Sequence, residues 1–468
     1  MTRREDLSVQ EGERVTTPMF DVLVAGAGGG GLSAALAAAD RGLEVAVVEA
    51  NESYRTSSNT AMSTAMIPAG GSRWQEAAGI DDSPQDFLAD IMRKTDGSAD
   101  VAVARALTEV APDLVAWMAD EIGVPLGLVT DFRYPGHSAD RCHAVPDRSG
   151  RALHSHLVDE VDRRSNVTMI TPMRLTAVER SDADQISAHV ERPDGTSEET
   201  TAGSIVLATN GYGARPDFIA RFIPEIENAL YHGGPGSTGD ALVIGKTMDA
   251  DVAYLDAYQG HGSVATPHGI IVTWAIVMHG GILINSAGSR FGDETQGYSE
   301  YAVPVLSQAD GIAWVVFDAR IGEACRVFRD YQDLVTADAV RWSDDAAGLA
   351  SIVGVSAEVM GETLRTARGS ATGSAPDAFG RMAWEQELSP PYGAVKVTGA
   401  LFHTQGGLCV DEHARILSAG MPIPGMYAVG GAAVGISGHG ASGYLAGNGL
   451  LSAFGLGYIA GNHVAARQ

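Results

Sequence analysis

Four residues near the start of the chain have the types and spacing of a dinucleotide-binding site. Gly26, Gly28 and Gly31 follow the pattern GxGxxG, and Glu49 comes about twenty residues later. The first glycine permits a tight turn, the second lets the backbone approach a pyrophosphate, and the third lets a helix pack closely on a strand. A carboxylate at Glu49 can accept hydrogen bonds from a ribose, which favours FAD or NAD over NADP.

A strand, a helix and a second strand are needed to position these residues. Residues 20–25, "FDVLVA", form an apolar run of strand length, and residues 45–48, "VAVV", form another. Between them, residues 31–41 have the small side chains of a helix that packs closely on a sheet. This βαβ unit would present free N–H groups and a positive helix-dipole end to a pyrophosphate. The alternative, a glycine turn without a ligand, explains neither the flanking elements nor the terminal acid.

The composition indicates a folded protein of two domains that does not bind nucleic acid. The chain has 468 residues, 45% hydrophobic and 19% charged, with a formal net charge of −26. That charge disfavours nucleic acid and anionic membrane surfaces. Residues 1–18 are expected to be a disordered leader, and no apolar segment follows Arg3-Arg4 as a signal peptide would require. We expect no membrane span and a cytoplasmic location.

No metal site is predicted. The three cysteines are far apart and form no CxxC, haem or iron–sulfur pattern. Residues 137–156, "HSADRCHAVPDRSGRALHSH", hold four histidines and Cys142, but the spacings fit no zinc pattern. This stretch is either a solvated loop or a loop that faces substrate through His137, Arg141 or His143.

The order of elements predicts an α/β fold with a Rossmann-like dinucleotide-binding domain that is split in sequence. Residues 165–208 have the pattern of a β-meander that ends in "SIVLATNGYG", a strand followed by a glycine turn. Helical segments dominate from about residue 246, and strands and turns return at 391. We expect the two parts of the binding domain at 19–245 and 391–468, and an inserted α+β cap domain at 246–390.

Several motifs, taken together, resemble one known superfamily. "SIVLATNGYG", "TGDAL", "NSAGSRFGDE", "ALFHTQGGLCVDE" and "PIPGMYAVGG" follow the βαβ unit in this order. They resemble the FAD-dependent fumarate reductase and succinate dehydrogenase flavoproteins, a superfamily that also contains aspartate oxidases and 3-ketosteroid dehydrogenases. The resemblance covers about residues 20–465. It implies FAD, a split FAD-binding domain and a mobile cap that closes over substrate.

The resemblance also implies which positions bind FAD. Some family members attach FAD to a histidine in the loop after the ribose-binding acid, and residues 50–72 contain no histidine, so we expect non-covalent FAD. The expected FAD-binding positions are Gly26, Gly28, Gly31, Glu49, Ser57, Ser58, Asn59, Thr209, Asn210, Gly211, Asp240, Gly430, Gly431, Asn448 and Leu450.

Four residues match the family's substrate site. In fumarate reductases the arginine of a "GxRFxNE" segment donates the proton, and Arg290 in "GSRFGDE" occupies that position. His403 matches the substrate-binding histidine of an "HTxGG" segment. His261, in "QGH", and Thr273, twelve residues later, match a histidine and a threonine that bind a substrate carboxylate.

Other positions depart from the fumarate reductases. Trp274 and Val277 stand where those enzymes have a glutamate and an arginine that relay protons. The segment 438–449, "GHGASGYLAGNG", lacks their second carboxylate-binding arginine. It is more similar to the ketosteroid dehydrogenases, in which a tyrosine and a glycine bind a ketone oxygen, and His439 and Gly443 match those two positions.

Flavin chemistry of this kind moves a hydride from one carbon while a proton leaves its neighbour. Arg290 and Tyr298 are the candidate proton partners. Arginine is normally protonated and suits reduction, whereas a tyrosine near a cation suits desaturation. The structural alternative for Arg290 is an ion pair with Asp293 or Glu294. His403, His439 and the backbone N–H of Gly443 are candidates for binding a carbonyl or carboxylate.

We therefore expect an FAD-dependent enzyme that desaturates a cyclic ketone, keto acid or steroid-like ketone. The alternative is fumarate-reductase-like reduction of an enoate, with Arg290 as proton donor. The sequence has one dinucleotide fingerprint, so NADH is not indicated, and the electron acceptor is left open between oxygen, a soluble carrier and a redox partner. A flavoprotein with a non-redox role and a substrate-binding subunit of a larger complex are two further possibilities.

Overall fold

The computed structural model describes residues 19–131, 133–180 and 185–466, so the predicted leader at 1–18 lies outside the described residues. The strands are β1 Phe20–Ala25, β2 Val45–Val48, β3 Ile67–Pro68, β4 Gly127–Leu128, β5 Cys142–Ala144, β6 Val167–Ile170, β7 Arg174–Arg180, β8 Ile186–Glu191, β9 Ser197–Leu207, β10 Leu230–Tyr231, β11 Val252–Ala253, β12 Tyr258–Ala265, β13 Ile270–Ile271, β14 Ile282–Asn285, β15 Ile312–Asp318, β16 Arg341–Ser343, β17 Tyr392–Thr404, β18 Gly407–Leu408, β19 Arg415–Ser418 and β20 Met421–Ala428.

The helices are α1 Gly29–Ala39, α2 Tyr54–Ser57, α3 Asn59–Met62, α4 Arg73–Ala77, α5 Pro84–Lys94, α6 Val101–Asp120, α7 Gly150–Arg163, α8 Pro216–Phe222, α9 Asp240–Thr247, α10 Ala275–Met278, α11 Ala302–Leu306, α12 Ala319–Ala324, α13 Arg329–Thr336, α14 Ala346–Val353, α15 Ala357–Ala371 and α16 Asn448–Ala466. Caps set several of these boundaries; Ser83, for example, accepts an N–H of the first turn of α5, which begins with a proline.

The first sheet has eight strands, with the central order β19-β20-β9-β1-β2-β6 and with β8 and β7 added beside β9. Strand β1 runs parallel to both β2 and β9, and β20 runs parallel to β9. Residues Ala25, Val48, Leu207 and Ala428 are paired in register near the carboxyl ends of these strands. The loops that follow therefore converge at one edge of the sheet, where an α/β fold places its ligand.

Helix α16 packs along α1 through small side chains. A Cβ on Gly457 would overlap with the carbonyl of Gly30, and one on Gly461 would contact the carbonyl of Ala34 at 2.5 Å. Every residue of α1 is buried. This close packing holds the middle of α16 against α1, the helix of the βαβ unit.

The second sheet has seven strands, with the order β13-β12-β17-β15-β14 and with β10 and β16 also paired to β17. It carries the helices α11 to α15 of the segment predicted as a cap. Strands β10 and β17 lie outside the predicted cap limits of 246–390, but they belong to this sheet. The antiparallel pairing of β12 with β17 places Gln259 opposite His403 and His261 opposite Ala400.

No helix among residues 19–131, 133–180 and 185–466 is long and apolar enough to cross a membrane.

Candidate active site

The turn between β1 and α1 contains the predicted glycines, and close packing requires two of them. Gly26 has a φ of +113°, and a Cβ there would overlap with the carbonyl of Ala208. A Cβ on Gly31 would overlap with the carbonyl of Gly26. At Gly28 the nearest atom to a Cβ would be Thr60 Oγ1, at 4.0 Å. The turn is therefore open at Gly28, where a ligand can approach the backbone.

Glu49 follows β2 and is held beside this turn by backbone amides. Its Oε2 accepts a hydrogen bond from the N–H of Ala27, and its Oε1 accepts one from the N–H of Asn51, each at 2.7 Å. These two bonds fix the carboxylate and leave lone pairs free for further donors. The arrangement suits recognition of ribose hydroxyls.

A cavity of about 530 Å³ extends from the glycine turn to the second sheet. Its wall includes most of the positions expected to bind FAD, namely Gly26, Gly28, Glu49, Ser57, Ser58, Asn59, Thr209, Asn210, Asp240, Gly430, Gly431 and Leu450. Three expected positions lie behind this wall. Gly31 packs on the carbonyl of Gly26, Gly211 packs on the hydroxyl of Thr404, and Asn448 is fully buried at the start of α16.

Unpaired polar groups at this wall fit a polar cofactor. The buried hydroxyls of Thr209 and Ser452 line the cavity and have no hydrogen-bond partner among the described residues. Neither amide atom of Asn448 has one in that part of the chain. A buried polar group without a partner is costly unless a ligand or water satisfies it. With the open backbone at Gly28 and the carboxylate of Glu49, these groups match the phosphate, ribose and ring-edge atoms of FAD.

The cavity wall carries little positive charge. Among the described residues, Arg174 is the only arginine or lysine that lines the cavity. Arg174 Nη1 donates a hydrogen bond to Asp240 Oδ2 at 2.7 Å, so its positive charge is paired with that carboxylate. Both residues lie at the end of the cavity where FAD is expected. At the opposite end of the cavity, the described residues include no arginine or lysine that could bind the carboxylates of a dicarboxylate.

Aromatic side chains from β12, β17 and neighbouring loops line that opposite end. The ring of His261 stacks on Phe402 at a centroid distance of 5.0 Å and on Tyr298 at 5.1 Å. His232 contacts Phe402 at 5.1 Å. Thr273 and the residue after it, Trp274, also line the cavity. The result is a wall of flat rings on which a planar or cyclic substrate can pack.

Two histidines at this end are neutral hydrogen-bond donors. Nδ1 of His261 accepts the N–H of Ser263 at 3.2 Å, and Nδ1 of His403 accepts the amide N–H of Gln405 at 2.9 Å. The hydroxyl of Ser437 donates to Gln405 Oε1 and fixes that amide. Burial lowers the pKa of His403 to about 4, and burial with a neighbouring histidine lowers the pKa of His261 to about 3. Both rings are therefore uncharged at neutral pH, and the N–H donated to His261 Nδ1 leaves the proton of that ring on Nε2.

Tyr298 and Tyr444 lie edge-on to one another at the cavity wall. Their ring centroids are 5.9 Å apart, and Tyr444 contacts His403 edge-on at 5.8 Å. The Tyr444 hydroxyl accepts the N–H of Gly449 at 3.4 Å. Burial raises the pKa of both phenols, and the hydrogen bonds from Gly449 and Tyr298 oppose that rise at Tyr444. Both phenols are therefore protonated at neutral pH.

Arg290 lies outside the cavity wall, contrary to its expected place at the substrate. Its guanidinium donates to both carboxylate oxygens of Glu294, at 2.9 and 2.8 Å, and to Asp377 at 2.5 Å. Arg381 also donates to Glu294, at 3.1 Å. Glu294 is fully buried, and only 6% of the Arg290 side chain is exposed. The ion pair with Glu294 that the sequence offered as the structural alternative is present, and the role of Arg290 as proton donor stays a prediction.

His439 and Gly443 also lie outside the cavity wall. The His439 side chain is 61% exposed and its Nδ1 is 2.8 Å from an Asp256 carboxylate oxygen. Gly443 packs against the carbonyl of Ser437 in the turn before α16. The loop turns inward one residue later, so Tyr444 and not His439 reaches the cavity.

Sequence reasoning missed Tyr444, His232 and Gln405 as cavity residues. Tyr444 follows the predicted Gly443 directly, and Gln405 belongs to the quoted "FHTQGG" segment, so both lay inside motifs already selected. Their polar side chains within these motifs could have indicated that they face the substrate site. His232 follows the two-residue strand β10, for which the sequence has no motif, and no local pattern indicated it.

The histidine-rich stretch 137–156 contacts residues that line the cavity without lining it through His137, Arg141 or His143. His137 Nε2 lies 3.1 Å from the carbonyl of Ala446, a cavity residue, and Arg141 is fully buried between Asp82 and Asp90. Neither His137, Arg141 nor His143 lines the cavity. In the part of the chain that the structure describes, no three histidine, cysteine or acidic side chains are grouped as metal ligands.

The parallel sheet, the glycine turn and the cavity that joins the two sheets define a flavoprotein oxidoreductase. The chain belongs to the family of the FAD binding domain, whose model matches residues 21–450. A probable fumarate reductase of Shewanella frigidimarina is 26% identical over 450 residues, which cover 95% of this chain and 74% of that protein. A urocanate reductase of Eggerthella lenta is 25% identical, with 92% and 72% covered.

Solved structures agree with this assignment. The open conformation of a flavocytochrome c3 fumarate reductase superposes with a TM-score of 0.78 at 26% identity and covers 96% of this chain and 78% of its own. A 3-ketosteroid-Δ4-(5α)-dehydrogenase from Rhodococcus jostii shares the fold, with a TM-score of 0.72, 22% identity and coverages of 97% and 98%. The chain is an FAD-dependent oxidoreductase that acts on carbon–carbon bonds.

Proposed function

We propose that the protein desaturates a cyclic ketone at the carbon–carbon bond beside the carbonyl. The observation that carries this proposal is the neutral substrate end of the cavity. Its polar groups are the uncharged His261 and His403 and the phenols of Tyr298 and Tyr444, and the described residues place no free cation there. Such a wall favours a neutral carbonyl over a dicarboxylate, whose charges would lose water without gaining a partner.

The proposed roles follow from the positions of these groups. The Nε2–H groups of His403 and His261 bind the carbonyl oxygen and stabilise the negative charge that develops on it as the α proton leaves. Tyr298 in its ionised form takes that proton and becomes a neutral phenol, and Tyr444 lies beside it at the cavity wall. FAD, held by the glycine turn and Glu49, would supply the acceptor for the hydride that leaves the β carbon. Proton and hydride together account for the two hydrogens removed from the substrate.

Reduction of an enoate is the second candidate function. It is favoured by the names of the similar proteins, a fumarate reductase and a urocanate reductase, and by Thr273, His261 and His403 at the cavity wall. Because Arg290 is bound to Glu294 and Asp377, the proton would come from Tyr298 in this case too. A protonated phenol is a suitable acid for that step.

Anaerobic absorbance of the flavin band distinguishes the two functions. We would add saturated cyclic ketones to the oxidised holoenzyme, and cyclic enones and fumarate-like acids to the dithionite-reduced holoenzyme. The proposal predicts that a saturated ketone bleaches the band and that Tyr298→Phe slows this about 100-fold or more. Re-oxidation by an enoate, without bleaching by any ketone, would establish the second function instead.

We also infer that FAD is bound non-covalently, because residues 50–72 contain no histidine to attach it. Denaturation with acid should then release all the flavin into the supernatant. Yellow colour that stays with the precipitated protein would contradict this inference.

A further inference from the structure

An ion pair joins the end of α5 to the turn that carries Tyr298. The Lys94 ammonium contacts the Glu300 carboxylate and donates a hydrogen bond to the carbonyl of Gln296 at 3.1 Å. The two charged side chains are only 16% and 15% exposed. Lys94 belongs to the predicted FAD-binding domain and Glu300 to the predicted cap. Lys94 therefore contacts the first and the last residue of the turn 296–300.

The same turn is held on its other side by β12. The N–H of Gly262 donates to the carbonyl of Tyr298 at 2.9 Å, and the N–H of Gly260 donates to the Ser299 hydroxyl at 3.0 Å. Gly297 has a φ of +143°, and a Cβ there would overlap with the carboxylate of Glu300. The Glu300 side chain thus folds back over the turn, and Lys94 holds it in that position.

Lys94 also lies beside the segment that contacts the Tyr444 loop. A Cβ on Gly136 would be 3.4 Å from the Lys94 side chain and 2.7 Å from Leu445, the residue after Tyr444. Gly136 has a φ of +87°, which favours glycine, and the missing Cβ leaves room for both side chains beside it. Lys94 therefore contacts the Tyr298 turn directly and lies near Gly136, the residue that packs on Leu445.

We propose that Lys94 is a positioning residue that holds Tyr298 in its edge-on contact with Tyr444 at the cavity wall. Its removal leaves the Glu300 carboxylate, one oxygen of which has no partner among the described residues, without its counter-charge in a largely buried place. Burial raises the pKa of Glu300 while Lys94 opposes that rise, so without Lys94 the carboxyl either takes up a proton or turns toward water. In both cases it no longer anchors the turn, and Tyr298 is released with it. The kinetic part of this inference rests on the proposed role of Tyr298, whereas the restraint of the turn does not.

The test compares FAD-loaded Lys94→Met with the wild type by hydrogen–deuterium exchange and by flavin reduction with a saturated ketone. We expect faster exchange in peptides covering residues 294–306 and unchanged exchange in α1. We expect the rate constant for flavin reduction to fall about tenfold or more, with normal flavin content, because small displacements of reacting groups are costly. Lys94→Arg, which keeps the charge and the donors, should restore both readouts substantially.

Lys246→Met is the matched control, because that lysine is exposed near the end of α9. Unchanged exchange of residues 294–306 in Lys94→Met would overturn the proposal, whatever the kinetics. Faster exchange with an unchanged rate of flavin reduction would overturn the positioning role. If the wild type responds to no ketone, the proposed function fails and exchange alone decides whether Lys94 restrains the turn. If Lys94→Met does not fold, hydrogen–deuterium exchange and flavin reduction are measured on Glu300→Gln instead. Unchanged exchange of residues 294–306, or faster exchange with an unchanged rate of flavin reduction, would again overturn the proposal.

Discussion

At the scale of single residues, the protonation states of two phenols and two histidines set the pH dependence. A phenol that removes an α proton must first be ionised, and burial raises the pKa of both Tyr298 and Tyr444. Below that pKa the ionised fraction grows about tenfold per pH unit. His261 and His403, with pKa values lowered to about 3 and about 4, keep their charge state between about pH 6 and pH 8.

We therefore predict that the rate of flavin reduction by a saturated ketone rises with pH through neutrality and into the alkaline range. In the reverse direction the phenol must be protonated, so the rate of enone reduction should be nearly flat over the same range. Stopped-flow measurements of both half-reactions check this. A ketone reaction that is fastest in mild acid and slows above neutrality would contradict the role of the phenols.

At the scale of elements, the ion pairs of Arg290 join the segment after β14 to the segment after α15. Breaking a buried ion pair costs about 3–5 kcal/mol, because one charge is left without a partner. We predict that Arg290→Gln lowers the free energy of unfolding by about that amount in urea. Arg55→Gln is the control, since its pair with Asp162 is exposed and should contribute less than about 1 kcal/mol. Equal effects of the two substitutions would contradict the structural role of Arg290.

The sequence allowed prediction of the elements better than of the directions of side chains. The βαβ unit, its glycines and Glu49 were predictable because turn, strand and helix preferences are local, and the structure contains them. The path of residues 438–449 was not, because it depends on packing against Thr95, Ser98 and Pro68, which are far away in the sequence. For the same reason the motif around Arg290 could be found, while its binding to Asp377, far along the chain, could not.

At the scale of the whole molecule, the cavity joins the two sheets, so FAD should contribute to the stability of the fold. A ligand that binds only the native state stabilises it by about 4 kcal/mol at 1,000 times its Kd. We predict that removal of FAD lowers the Tm and that added FAD raises it again in a concentration-dependent way. Differential scanning calorimetry of the apo and reconstituted proteins measures this. A Tm that does not respond to FAD would contradict preferential binding of FAD to the native state.

The most direct test of the central claim, that a phenol and not Arg290 handles the substrate proton, is one single-turnover measurement. The rate of flavin reduction by a saturated cyclic ketone would be compared for Tyr298→Phe and Arg290→Gln, each with flavin content and folding verified. We expect a loss of about 100-fold or more for Tyr298→Phe and a loss below about tenfold for folded Arg290→Gln. A reaction abolished by Arg290→Gln and retained by Tyr298→Phe would contradict it.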